Sequence, residues 1–146
     1  MRYENKQVYV IMAIVSNRRL DIMCTILLPI KPEYANRIID KSKLYEYRKN
    51  SCKKKIDKIV IYSTAPVKKI IGEVEVKEVI CDSPDRLWKK TENYSGISKS
   101  KYMKYFEHKS IAYAYKLGKV ISYDNPKELK DIGICFYPQS YIYLDN

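Results

Sequence analysis

The chain has 146 residues, enough for one domain with a real core, and 46% of them are hydrophobic, which excludes general disorder. Lys and Arg total 28 against 17 Asp and Glu, a net charge of +11, so polyanions are the natural partners: nucleic acid before an anionic membrane surface. Cys24, Cys52, Cys81 and Cys135 form no CxxC pair, His108 is the single histidine and the four glycines are scattered. A zinc ribbon, a redox dithiol, a histidine-rich metal site and a Gly-rich phosphate loop are thereby excluded, and no cofactor or metal is expected.

In chain order, residues 7–15 are apolar but too short to span a bilayer, and their alternating Tyr and Val favour a strand. No small-x-small cleavage site follows, so a signal peptide is not expected and the cytoplasm is the default location. Met12 and Met23 are both candidate starts. Residues 1–22 are taken as an N-terminal extension and residues 23–146 as the domain.

Residues 25–30 read as an apolar strand, and Pro32 opens a helix that places Tyr34, Ile38 and Ile39 on one face. Residues 44–49 form a charged strand. Lys53, Lys54 and Lys55 make a basic loop before a buried strand over 56–63, and Thr64-Ala65-Pro66 is a turn. The strand over 70–80 directs Val74 and Val76 one way and Glu73, Glu75 and Lys77 the other. Cys24 and Cys81 lie in apolar runs and are expected to be buried.

Ser83-Pro84 caps a helix that continues to about residue 93, and Ser98 caps a second one after Gly96. Residues 110–123 are strand-like with a bulge at Gly118, residues 126–131 form a short helical turn, and 141–144 close the chain as a strand. Five or six strands with helices inserted in two places predict an α+β fold, a small mixed β-barrel with flanking helices.

The chemistry concentrates in Lys43-x-x-Glu46-x-Arg48. Strand alternation places Glu46 and Arg48 on one side, with Lys43 at the strand entrance, where a flexible ammonium reaches over its end. A carboxylate between two cations suits a polar, anionic ligand; the plainer reading is an edge strand bearing an intrastrand ion pair. Arg48 is assigned to a phosphate or carbonyl, or to holding Glu46. Glu46 accepts from a base amino group or acts as general base. Lys43 neutralises phosphate or, if burial lowers its pKa, acts as nucleophile or base. Lys43 and Glu46 are therefore the catalytic candidates. Ser63 and Thr64 are further ligand candidates whose other role is turn capping, and Gln139 is placed to reach the same cleft. Lys53, Lys54, Lys55, Lys68 and Lys69 are the candidate nucleic-acid surface. Fifteen tyrosines supply flat faces for stacking bases, although most, at alternating strand positions such as Tyr45, Tyr47, Tyr113 and Tyr115, belong to the core or the barrel wall.

Residues 27–144, about four-fifths of the chain, resemble the ASCH domain of the PUA-like superfamily. The matching pieces are Leu28-Pro29-Ile30-Lys31-Pro32-Glu33-Tyr34-Ala35, the Lys43–Glu46–Arg48 spacing, residues 59–72, Leu87-Trp88, Ser95-Gly96-Ile97-Ser98 and Pro138-Gln139-Ser140. One position departs: the family commonly has glycine two residues before the motif lysine, where this chain has Lys41. The resemblance implies a PUA-like pseudo-barrel with a cleft at the start of the motif strand. It also implies binding of RNA or of a modified nucleoside, in a branch often described as predicted transcriptional regulators. RNA is favoured over DNA. Within the same family, some members are reported as ribonucleases, and one branch resembles an amidohydrolase acting on acylated cytidine through a lysine, a threonine and a glutamate. Here Lys43 matches that lysine, but Glu46 occupies the threonine position, which removes the main support for deacylation. Binding is the favoured reading, with an enzyme of the same fold as the alternative.

Overall fold

The structure, a computed structural model, describes residues 22–144. The strand expected at 7–15, and the extension as far as residue 21, lie outside the described residues. The elements are β1 (Cys24–Ile30), α1 (Pro32–Ile39), β2 (Tyr45–Arg48), β3 (Ile56–Ser63), β4 (Lys69–Asp82), α2 (Pro84–Thr91), α3 (Lys99–Tyr105), β5 (Ala112–Lys127) and β6 (Ile142–Leu144). Short 3-10 turns follow α2 and β5.

The strands form one six-stranded mixed sheet in the order β2-β5-β4-β3-β1-β6. Among the described residues only β1 and β3 are parallel, and α1 and β2 lie in the connection between them. The other pairs are antiparallel. Among the described residues the ladder is open rather than a closed barrel, with β2 and β6 as its edges. The sheet curls enough for Arg48 of β2 to hydrogen-bond the Pro29 carbonyl of β1 at 2.8 Å, although three strands separate them in the ladder. The architecture is accordingly α+β with a pseudo-barrel closed in part by side chains.

Three apolar clusters follow from strand alternation. Ile26, Leu28, Ile59, Ile61, Val74, Tyr115 and Leu117 fill the inner face, capped by Ala35 and Ile38 of α1. Gly72 lets α1 approach β4, since a Cβ there would meet Ile39 Cδ1 at 2.9 Å. On the other face, Tyr47, Ala112 and Ala114 pack against Leu87 and Trp88 of α2 and Tyr102 of α3. Leu27, Val60, Tyr62, Ile70 and Leu129 form the third cluster. The expected caps are present: Ser83 Oγ accepts from Arg86 N at 3.4 Å and Ser98 Oγ from Lys101 N at 3.3 Å.

Two expectations need correction. Cys81 is exposed and Cys24 only half-buried. Alternation along β4 puts Cys81 on the side opposite Ile80, and it is Ile80 that packs, against the helix-covered cluster, while Cys81 is left in solvent. The helical turn expected from Pro126 begins at Leu129 instead, because β5 continues to Lys127. Between the pairs Gly72–Ser122 and Ile70–Lys127 the ladder slips, so Pro126 sits where no N–H is required.

Candidate functional site

β2 is short and, among the described residues, paired on one side only, with Glu46 opposite Tyr115 and Arg48 opposite Tyr113. Alternation sends Tyr47 into the helix-covered cluster and turns Glu46 and Arg48 together toward the curled interior. Arg48 Nη2 donates to Glu46 Oε1 at 3.1 Å and to Pro29 O at 2.8 Å. The ion pair is therefore real, and it also joins β2 to β1. Glu46 is 6% exposed. Its Oε2, Arg48 Nε and Ser63 Oγ are all buried without a hydrogen-bond partner among the described residues. Ser63 ends β3 two residues after Ile61, on the inner face that Glu46 also addresses. Three buried polar atoms, two on β2 and one at the end of β3, thus keep unmet hydrogen-bonding capacity.

Lys43 is not the mobile surface ammonium the strand entrance implied. It is 2% exposed and its Nζ donates to the Ser95 carbonyl at 2.7 Å. The Tyr47 and Tyr34 ring centroids lie 4.7 and 5.5 Å from the ammonium. Burial pushes its pKa below the ordinary lysine range; Glu46 opposes that shift, while Arg37 and Arg48 reinforce it. The reason for the burial is the segment 94–97, which folds over the motif. Leu44 N donates to Tyr94 O at 2.9 Å and Arg37 Nη1 to Gly96 O at 2.6 Å. Gly96 has φ +64, and a Cβ there would overlap the Lys43 side chain.

Arg37, Tyr34 and Ser95 thus form the surroundings of Lys43, a grouping that reasoning from sequence missed. Gly96 was read as the end of a helical segment, and Ser95-Gly96-Ile97-Ser98 as a piece of the family pattern, but the bond from Ser95 to a lysine 52 residues away was not visible. Thr64 is half-buried, and its N donates to Ile30 O at 3.0 Å while its carbonyl accepts from Val67 N at 3.1 Å, as a turn residue does. Gln139 is exposed in the loop before β6 and shares no hydrogen bond with the motif side chains. Lys53, Lys54, Lys55 and Lys68 are exposed; Lys69 is half-buried and paired with Glu128 at 3.0 Å. Glu92 is exposed on the turn after α2.

Two surface hollows, of about 490 and 450 Å³, lie elsewhere: Lys68, Lys130, Phe136 and Tyr137 line one, and Val60, Ile70, Tyr123 and Ile142 the other. Neither is lined by Lys43, Glu46 or Arg48. Among the described residues no helix is long and apolar enough to cross a membrane, and no group of three or more His, Cys, Asp or Glu is placed to hold a metal ion.

Comparisons with known proteins agree with this architecture. The chain is 31% identical over 121 residues to part of a protein named ATP synthase subunit alpha from Ureaplasma parvum serovar 3, covering 82% of this chain and 15% of that protein. It is 28% identical over 145 residues to part of a protein from the same organism named large ribosomal subunit protein uL22, covering 99% and 47%. The chain therefore spans less than half the length of these relatives. A protein of Zymomonas mobilis named ASCH domain-containing ribonuclease is 29% identical over 115 residues, covering 77% of this chain and 78% of that one. Among solved structures, the ASCH protein from Zymomonas mobilis superposes with a TM-score of 0.77 at 28% identity over 83% of this chain and 87% of its own. A point variant of it gives the same TM-score at 27% identity, with 83% and 90% covered. Residues 23–136 match the family described as domain of unknown function DUF365; the chain belongs to that family, and its fold is that of an ASCH domain.

Proposed function

We propose that residues 23–146 form an RNA-directed binding module, in which the lysine-rich surface holds the strand and the Glu46–Arg48 end of the pseudo-barrel receives one nucleotide. The observation that carries this reading is the buried pair with its spare polar atoms. Glu46 Oε2 accepts from a base amino or imino group, Arg48 Nε donates to a carbonyl or phosphate oxygen, and Ser63 Oγ serves in either sense. Entry lies between β1 and β2, which are not joined by a ladder, so a ligand displaces the Arg48–Pro29 bond rather than a strand. The net charge of +11 draws the phosphate backbone. Lys43 acts as a positioning residue, since its ammonium is committed to Ser95 and sets the field around Glu46. A cytoplasmic location and a regulatory role on transcripts accompany binding without turnover; the chain's relation to whatever precedes or follows residues 23–146 belongs to the same proposal.

A second reading is cleavage, favoured by the likeness to the Zymomonas protein named a ribonuclease. In that case Glu46 takes the proton from a ribose 2′-hydroxyl, the 2′-oxygen attacks phosphorus, and the departing 5′-oxygen takes a proton from an acid such as the Lys43 ammonium. The deciding experiment follows labelled single-stranded RNA by anisotropy and on gels, with wild type, Arg48→Ala, Glu46→Gln and Lys53→Ala. Binding predicts a loss of about tenfold or more for Arg48→Ala, and a small loss for Lys53→Ala with the salt slope reduced by about one. Equal and small effects from both make the motif structural. Cleavage that disappears in Glu46→Gln replaces the binding reading with the enzymatic one.

A further inference from the structure

We propose a second nucleic-acid subsite, remote from the motif, in which single-stranded bases stack on Phe136 and Tyr137 and backbone phosphates meet Lys68 and Lys130. It rests on the RNA reading above and names a distinct part of the surface. Phe136 and Tyr137 are 61% and 64% exposed, and they stand side by side in the chain on the wall of the 490 Å³ groove. Adjacent exposed aromatic rings cost free energy in water that a purely structural loop would avoid.

Cations surround them. Lys68 Nζ lies over one face of the Tyr137 ring, 5.2 Å from its centroid, so the charge a phosphate needs stands on one side of the ring and a base would take the opposite face. Lys69 and Lys130 also line the groove, each 3.0 Å from a Glu128 carboxylate oxygen. That single carboxylate leaves the groove with two net positive charges, from three lysines less one glutamate. Flat faces beside ammonium groups make a platform for single strands; a duplex hides its base faces and cannot use it. An acidic peptide would use the lysines and leave the rings idle, which is why a nucleic acid is the occupant the groove fits.

The test uses the full chain and a fluorescein-labelled single-stranded RNA of about ten nucleotides, within the span such platforms cover. Phe136→Leu with Tyr137→Leu is expected to weaken binding about tenfold or more, while Phe136→Trp with Tyr137→Trp retains it. Lys68→Gln is expected to lower the salt slope by about one. If wild type binds and the leucine pair stays within twofold of it, the subsite is overturned while the motif reading stands. If leucine and tryptophan pairs lose binding equally, stacking is not the cause and the proposal fails. Competition by polyglutamate as effective, per charge, as competition by unlabelled RNA makes the groove a plain anion patch and also overturns it. If wild type binds no RNA at all, the RNA reading fails and the subsite falls with it.

Discussion

Lys41 stands two positions before the motif lysine with φ +68, a backbone state that disfavours side chains with a Cβ. It is exposed, so nothing in its side chain compensates through packing. Lys41→Gly is expected to raise stability by about 0.5–1 kcal/mol, the relief of strain being partly offset by a freer unfolded chain. A melting temperature that falls would overturn this account. At Lys43 two effects separate by substitution. Lys43→Ala removes both the Ser95 bond and the buried stem, a loss of about 2–4 kcal/mol by denaturant unfolding. Lys43→Met keeps the stem and is expected to cost less, with RNA affinity within a few-fold of wild type. Methionine that abolishes RNA binding without lowering stability would instead place the Lys43 ammonium on the ligand.

At the level of elements, the motif is held by parts of the chain far from it. The segment 94–97 accepts from Lys43, Leu44 and Arg37, so α1, β2 and the turn after α2 meet at one point. Gly96 is the residue that permits the contact, both by its positive φ and by its missing Cβ. Gly96→Ala is expected to destabilise by at least about 2 kcal/mol, because the clash falls on the buried Lys43 stem rather than on a free surface. Urea melts read this directly; a change below about 0.5 kcal/mol would show that the segment yields easily. The other edge of the site is looser. Arg48 gives a hydrogen bond from β2 to β1, and such charge-assisted contacts are each worth about 1.5–3 kcal/mol net, well below a strand ladder.

For the molecule as a whole, tyrosine burial sets the alkaline limit. Burial pushes the Tyr47, Tyr102, Tyr115 and Tyr123 hydroxyls well above their ordinary value, and the Glu73 carboxylate beside Tyr123 adds to its shift. In the unfolded chain these groups lose their protons near pH 10, while the folded chain retains them. The stability they contribute is therefore complete below about pH 10 and is lost as pH rises further. Lys43 has the opposite sign: its lowered pKa makes the folded chain the weaker proton binder, so its own contribution improves with rising pH up to its ordinary value. Four tyrosines outweigh one lysine, and melting temperature is expected to fall steeply above about pH 10. Tyr115→Phe should flatten that fall by about one proton; an unchanged slope would remove Tyr115 from the account.

Strand alternation and capping are local, and for that reason β2, β3 and the Ser83 and Ser98 caps were legible from the residues, as was the shared side of Glu46 and Arg48. Val74 and Val76 were read correctly for the same reason, and Cys81 was misread because the apolar run around it was taken as buried on both sides, where only the Ile80 side is covered. The family pattern supplied the fold, and with it the expectation of a cleft at the motif strand. Only the tertiary structure showed that Lys43 is buried, that Ser95 and Arg37 belong to its surroundings, and that Phe136 and Tyr137 stand exposed beside Lys68. Residue type and spacing along the chain determine which side a strand residue faces. Whether a lysine ends in water or against a carbonyl 52 residues away depends on how distant segments pack, which spacing does not encode.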